Sequence, residues 1–223
     1  MIEVRFHGRG GQGTVVASEI LATALFKEGK FVQAFPAFGV ERRGAPVMAF
    51  LRFDAAPIRR RCQIYEPDHV VVLDPTLLSA VDVTSGLKLG GSILINSDRT
   101  PESFTNFHRF QIATVPAGAI AATHKLGTRT NPIVNTVILG AFARVTGFVS
   151  LEAIVESIAE KIPVRQQERN QAAAREAYER VTVARPNTLT LHSLSAGEGD
   201  GTRVGLARKS QLGSEVFPER RGP

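Results

Sequence analysis

Apolar and polar residues alternate at the start of the chain. Ile2, Val4 and Phe6 fall on one side, Glu3 and Arg5 on the other, which is the period of a strand. The pattern then breaks at Gly8-Arg9-Gly10-Gly11-Gln12-Gly13. From Thr14 to Glu28 the spacing becomes helical, with Val15, Ala22 and Leu25 on one stripe and Gly29 placed as a C-cap. Phe31–Phe35 and Val47–Phe53 read as strands on either side of an irregular segment, Pro36–Pro46, rich in Gly, Pro and Arg. Val70–Leu73, Ser92–Ile95 and Phe110–Val115 are short, continuous apolar runs, as expected of parallel strands buried on both faces. Helices are predicted over Ala117–Lys125, Ile133–Thr146, Leu151–Lys161 and Arg165–Val181. Ser150 is placed as the N-cap of the third of these, and Asn131, followed by Pro132, as the cap of the second.

Strands separated by helices or long crossovers predict an α/β fold: a Rossmann-like three-layer domain with a mostly parallel sheet. No internal repeat is present. After about residue 181 the composition changes to Ser, Thr, Gly, Pro and Arg without any period. From Val181 the chain holds six basic and four acidic residues and too little apolar surface to fold alone. The expected organisation is an α/β domain over 1–181 and an extended C-terminal tail over 182–223, ordered only against a partner.

The composition narrows the chemistry. With 43% hydrophobic and 22% charged residues, the 223-residue chain has enough apolar content for a core. The formal net charge of +6 is compatible with nucleic acid, a phosphorylated ligand or an acidic partner and selects none of them. One cysteine, Cys62, excludes a disulfide framework, a zinc finger and an iron–sulfur cluster held by this chain alone, and it reads as a passive thiol. No apolar stretch is long enough to span a membrane, and the first residues do not resemble a signal peptide. The expectation is a cytoplasmic protein of a reducing compartment. The five histidines show no metal-ligand spacing, and no triad or paired carboxylates stand out. Asp54, Asp68, Asp74 and Asp82 read as turn or cap residues, and Arg59-Arg60-Arg61 as a solvated run.

The strongest candidate site is Gly8-x-Gly10-x-x-Gly13 between a strand and a helix. Glycines allow a tight turn and close approach of backbone to a phosphate, and a helix N-terminus supplies amides and partial positive charge. A ligandless strand–helix turn has the same pattern. A dinucleotide site would want an acid at the end of the second strand, where Pro36 stands instead. An NTPase loop would want Lys and Ser or Thr after the last glycine, where Thr14 and Val15 stand. The segment Phe35–Pro46, with Arg42 and Arg43, suits an anion or the carboxylates of a partner equally well.

These residues also resemble a known family. His7-Gly8-Arg9-Gly10-Gly11-Gln12-Gly13-Thr14 is similar to the opening of the gamma subunit of 2-oxoacid:acceptor oxidoreductases. Phe35-Pro36-Ala37-Phe38-Gly39-Val40-Glu41-Arg42-Arg43-Gly44-Ala45-Pro46-Val47 resembles the second block of its pyruvate/ketoisovalerate branch. Tyr65–Asp68 through Leu73-Asp74-Pro75 resembles a third block, Asn131 and Asn135 a fourth, and Asn170 with Ala177-Tyr178-Glu179 the closing helix. The resemblance spans about residues 1–180; the tail departs from it.

The resemblance implies a non-catalytic gamma subunit. In that family a 2-oxoacid and coenzyme A yield an acyl-CoA and CO2, and electrons pass to ferredoxin or an NAD-linked acceptor module. Thiamine diphosphate with Mg lies between alpha and beta subunits, and 4Fe-4S clusters lie in beta and a ferredoxin-like delta subunit. The gamma module is implicated in coenzyme A binding. The residues this assigns to coenzyme A are Gly8, Arg9, Gly10, Gly11, Gln12, Gly13, Thr14, Arg42, Arg43 and Asn131. Gly199-Asp200-Gly201 imitates the start of a thiamine-diphosphate motif, but no Asn follows it. Pyruvate, ketoisovalerate and phenylglyoxylate remain open as the oxoacid. The competing readings are an NAD-binding dehydrogenase module and a basic nucleic-acid-binding module; neither has a ribose acid or a contiguous basic stripe to support it.

Overall fold

A computed structural model describes residues 1–37, 44–128 and 130–185 of the chain. Seven strands form one sheet: β1 (Ile2–Arg9), β2 (Phe31–Pro36), β3 (Pro46–Asp54), β4 (His69–Val72), β5 (Ser92–Asn96), β6 (Gln111–Val115) and β7 (Thr182–Ala184), in spatial order β2-β3-β1-β4-β5-β6-β7. β1, β4, β5 and β6 are mutually parallel. β3 runs antiparallel to β1, and β2 antiparallel to β3, so β2 points the same way as β1. With β7 antiparallel to β6, five of the seven strands share one direction, the mostly parallel sheet that the apolar runs predict.

The helices are α1 (Thr14–Lys27), α2 (Leu77–Ala80), α3 (Ala117–Thr123), α4 (Val137–Thr146), α5 (Leu151–Lys161) and α6 (Val164–Arg180). They are unevenly shared between the two faces. Val4, Phe6, Leu51, Val71, Leu94 and Ala113 pack against α1, α3, α4, α5 and α6 in one large core. On the other face, Val70, Val72, Ile93, Ile95 and Ile112 are covered by Leu77, Val83, Leu87, Phe104 and Phe110, which come from the single turn α2, loops and short 3-10 turns. The third layer is therefore thin. The crossovers that build it are interrupted by Pro75, Gly86, Gly90 and Gly91, of which Gly86 and Gly90 have positive φ, so no full helix forms there. Within the thick layer, Gly140 of α4 faces the backbone of Ala174 in α6 so closely that any β-carbon would run into its carbonyl oxygen.

Ser150 caps α5 as its sequence predicts: its hydroxyl accepts a hydrogen bond from the Ala153 amide at 3.1 Å. Asn131 does not cap α4. The helix begins four residues later than Ile133, at Val137, and its N-cap is Thr136. A closed turn takes the preceding residues instead: Thr128 and Asn131 exchange backbone hydrogen bonds at 3.2 Å, and Pro132 bridges Gly127. The chain also stays in the sheet beyond residue 181. β7 pairs with the edge strand β6, and the hydroxyls of Thr114 and Thr182 lie 3.0 Å apart. The unpaired edge of β6 offers these three residues the backbone partners that their composition alone does not reveal. The rest of the expected tail, from 186 onward, lies outside the described residues. No helix among the described residues is long and apolar enough to cross a membrane.

Candidate functional site

β1 ends at Arg9 and α1 begins at Thr14, so the glycine segment is the whole connection. It turns sharply because Gly11 and Gly13 adopt positive φ, 95° and 76°. Gln12 sits at its centre. Its side-chain oxygen accepts from the Arg9 amide at 2.8 Å, and its Nε2 donates to Oδ2 of Asp74 at 2.7 Å. The Gly10 amide donates to the Ala45 carbonyl at 2.9 Å, and the Gly10 carbonyl accepts from the Gly44 amide at 3.0 Å. The loop is thus pinned on one flank by the start of β3 and on the other by the end of β4.

Arg9 crosses that same edge. Its guanidinium donates to Oγ1 of Thr76 at 2.7 Å and to the Gly44 carbonyl at 3.0 Å, and its Nε lies 3.3 Å from Oδ2 of Asp74. Asp74 in turn accepts from the amide and hydroxyl of Thr76 at 2.9 and 2.6 Å. Burial pushes the Asp74 carboxyl up, but its hydrogen bonds from Thr76 and Gln12 and the nearby Arg9 charge outweigh this and hold it below the ordinary carboxylate range. The carboxylate stays ionised and largely balances the guanidinium. On the next strand, Asn96 donates to the Leu73 carbonyl at 2.9 Å and accepts from the Gly118 amide at 3.0 Å, which fixes the floor.

Together these residues surround a cleft of about 600 Å³ at the carboxyl edge of the parallel strands. Ligands of open α/β sheets bind at this edge. Arg9, Gly10, Gly11, Gln12 and Asn131 meet in it, Asn131 arriving from the turn that replaced the expected cap. Gly8, Gly13 and Thr14 do not line it. A β-carbon on Gly8 would strike the Thr14 hydroxyl, and one on Gly13 would stand 2.5 Å from Nδ2 of Asn135. The small size of these two glycines serves packing beneath the loop. Thr14 is buried there, its hydroxyl without a hydrogen-bond partner. Arg42 and Arg43 lie outside the described residues.

Asp74, Thr76 and Asn96 also line the candidate cleft, and sequence reasoning missed them. The signal for them is position: Asp74 directly follows the apolar run Val70–Leu73, and Asn96 directly follows Ser92–Ile95, so both stand where parallel strands end. The topology also weighs against a dinucleotide site. β3 lies between β1 and β2, so the end of β2 is not beside the glycine loop. Among the described residues no cluster of His, Cys, Asp and Glu could hold a metal ion, and Cys62 is exposed.

Residues 3–180 match the family described as pyruvate ferredoxin/flavodoxin oxidoreductase. The chain belongs to this family. It is 54% identical over 188 residues to the pyruvate synthase subunit PorC of Methanothermobacter thermautotrophicus, covering 84% of this chain and 99% of that one. It is also 54% identical over 186 residues to the common gamma subunit of the pyruvate/ketoisovalerate oxidoreductases of Thermococcus kodakarensis, covering 82% and 98%. The crystal structure of the pyruvate oxidoreductase subunit PORC from Thermotoga maritima superimposes with a TM-score of 0.69 at 38% identity, over 82% of this chain and 98% of that one. The chain is accordingly a gamma-type subunit of a pyruvate/2-oxoacid:ferredoxin oxidoreductase, a multi-subunit oxidoreductase complex. The resemblance drawn from the glycine loop and the blocks that follow it holds across the α/β domain.

Proposed function

We propose that this subunit contributes to coenzyme A binding through the cleft at the carboxyl edge of its sheet, and to the assembly of a complex whose alpha, beta and delta subunits carry the thiamine diphosphate, Mg and 4Fe-4S chemistry. The observation that carries the reading is the convergence of Arg9, the Gly10–Gln12 backbone and Asn131 on one cleft beside the start of α1. A diphosphate there would meet the Arg9 guanidinium, beside the loop that leads into a 14-residue helix. One end of coenzyme A would enter the cleft. The remainder, with the acyl-accepting thiol, would reach toward the partner subunits where the oxoacid is decarboxylated. The chemistry of this chain is then positional: it binds and orients one substrate, and no proton or electron passes through its side chains. An exposed single cysteine suits a reducing, cytoplasmic setting.

The test is an assay of the native complex with pyruvate, ketoisovalerate and phenylglyoxylate, with ferredoxin and NAD as acceptors. The coenzyme A dependence is measured for wild type and for a Gln12→Ala variant, which removes the side-chain oxygen that holds the Arg9 amide within the loop. A rise in KM for coenzyme A, with the oxoacid KM unchanged in an intact complex, supports the reading. Equal KM values for coenzyme A count against it.

A further inference from the structure

Arg52, in β3, is fully buried on the sheet face opposite α1. Its guanidinium donates to the carbonyls of Arg60 at 3.0 Å and Cys62 at 2.7 Å, and its Nε lies 3.2 Å from Oε1 of Glu3. From β2, Gln33 donates to the Ile58 carbonyl at 3.1 Å. The segment 55–64 has no helix or strand of its own, yet half-buried Gln33 and buried Arg52 hold its backbone at three alternate residues, 58, 60 and 62. Burying a guanidinium carries a desolvation penalty comparable to what its pairing returns, and an apolar side chain would cover the sheet as well. What this arrangement adds is a fixed loop.

The fixed loop displays Arg59, Arg60 and Arg61, all exposed. Among the described residues, Glu3 is the one carboxylate within ion-pair distance of any of them, 3.8 Å from Arg60, and it already serves Arg52. Arg60 thus shares Glu3 with Arg52, and among the described residues Arg59 and Arg61 have no carboxylate within ion-pair distance. On the same sheet face, Phe35 packs against Phe50 with ring centroids 5.4 Å apart and lies under the Arg52 guanidinium at 5.3 Å; Met48 is exposed nearby on β3. Consecutive side chains splay apart, so three arginines in a row cover an area and do not converge on a single phosphate. Exposed arginines on a loop whose backbone is held, on a face that also carries aromatic and Met side chains, have the composition of protein interfaces.

We propose that the Arg52-clamped loop, with Phe35 and Met48 beside it, docks an acidic surface of another subunit of the oxidoreductase complex. The surface lies on a sheet face, apart from the cleft at the strand ends. The proposal rests on the chain working within a complex and is independent of the coenzyme A reading.

The experiment compares the wild-type complex with one carrying Arg59→Glu and Arg61→Glu together, measuring retention of this subunit by sedimentation over a range of salt concentrations. Thermal unfolding of the full chain serves as the folding control. The expected result is a dissociation constant raised about tenfold or more at unchanged unfolding temperature, wild-type retention that weakens with salt, and recovery of most retention by the Arg59→Lys, Arg61→Lys pair. Unchanged retention overturns the proposal. So does wild-type retention insensitive to salt, which also decides the matter if the glutamate pair fails to fold. Unchanged retention with a raised KM for coenzyme A would overturn it by assigning the loop to the ligand; lost affinity for RNA or DNA instead would assign it to nucleic acid. A native chain that co-purifies with no other subunit would count against the complex itself, a result distinct from all of these.

Discussion

Asn135 lies so close against Gly13 that a β-carbon on the glycine would stand 2.5 Å from its side-chain Nδ2. The contact joins the N-terminus of α1 to the residues that lead into α4, directly beneath the glycine loop. Asn135 is held from its other end, because its Oδ1 accepts from the Thr136 amide at 2.8 Å. It has little room to give way.

Gly13→Ala should therefore combine left-handed backbone strain with a clash. The expected loss is about 2 kcal/mol or more, since the strain alone is about 1–2 kcal/mol and overpacking adds about 1–3. Gly11→Ala has the same strain and open space around it, so about 1 kcal/mol is expected. Denaturant melts of the two variants check the difference; equal losses would mean that Asn135 moves aside freely.

Gly140→Ala tests the packing of the thick layer. The new methyl would meet the Ala174 carbonyl across the α4–α6 contact and force the helices apart. A loss of about 1–3 kcal/mol is expected by thermal or denaturant unfolding. Ser150→Ala, which removes only the α5 cap, should cost about 1 kcal/mol by the same measurement.

His7 gives the fold a pH dependence. It is buried, and burial first, then the neighbouring Arg5 charge, pushes its pKa down to about 3. Arg5 donates to its Nε2 at 3.0 Å, so the ring must be neutral there. An unfolded histidine takes up its proton near pH 6.5, whereas the folded one resists until far lower pH. The stability that His7 contributes is thus fully present above about pH 6.5 and is lost as pH falls toward 3, by at most about 1.4 kcal/mol per pH unit. His7→Gln, which keeps an acceptor for Arg5 but does not titrate, should flatten the stability–pH curve between pH 6.5 and 4. Parallel curves for the two proteins would place the charge elsewhere.

The sequence pattern carried the parts of this fold that depend on local spacing. The alternation of Ile2, Val4 and Phe6, the apolar runs that became β4, β5 and β6, and the Ser150 cap all stand where period and residue type put them. The glycine loop and its cleft were legible for the same reason. What stayed hidden depends on partners distant in sequence. Glu3, Arg5 and His7 alternate as an outward polar face, yet they are buried: Arg52 pairs with Glu3, the Val83 and Ser85 carbonyls accept from Arg5, and Arg5 donates to His7. Asp74 is a turn residue by composition and becomes a site residue only when Gln12 and Arg9 reach it across 62 and 65 positions. Asn131 and Pro132 have the local chemistry of a helix start, but the closed turn with Gly127 and Thr128 satisfies their backbone first.

The Arg9–Asp74 pair offers the most direct test of the coenzyme A reading, because its two members should act in opposite directions. On the proposed reading, an incoming phosphate would compete with the Asp74 carboxylate for the Arg9 guanidinium. The measurement is the KM for coenzyme A of the intact complex, with wild type, Arg9→Ala and Asp74→Asn side by side. The expected result is a KM raised about tenfold in Arg9→Ala, the scale of one lost charge-assisted contact of about 1.5 kcal/mol, a KM lowered in Asp74→Asn, and an unchanged KM for the oxoacid in both. Coenzyme A KM values that stay at the wild-type level in both intact variants would contradict it.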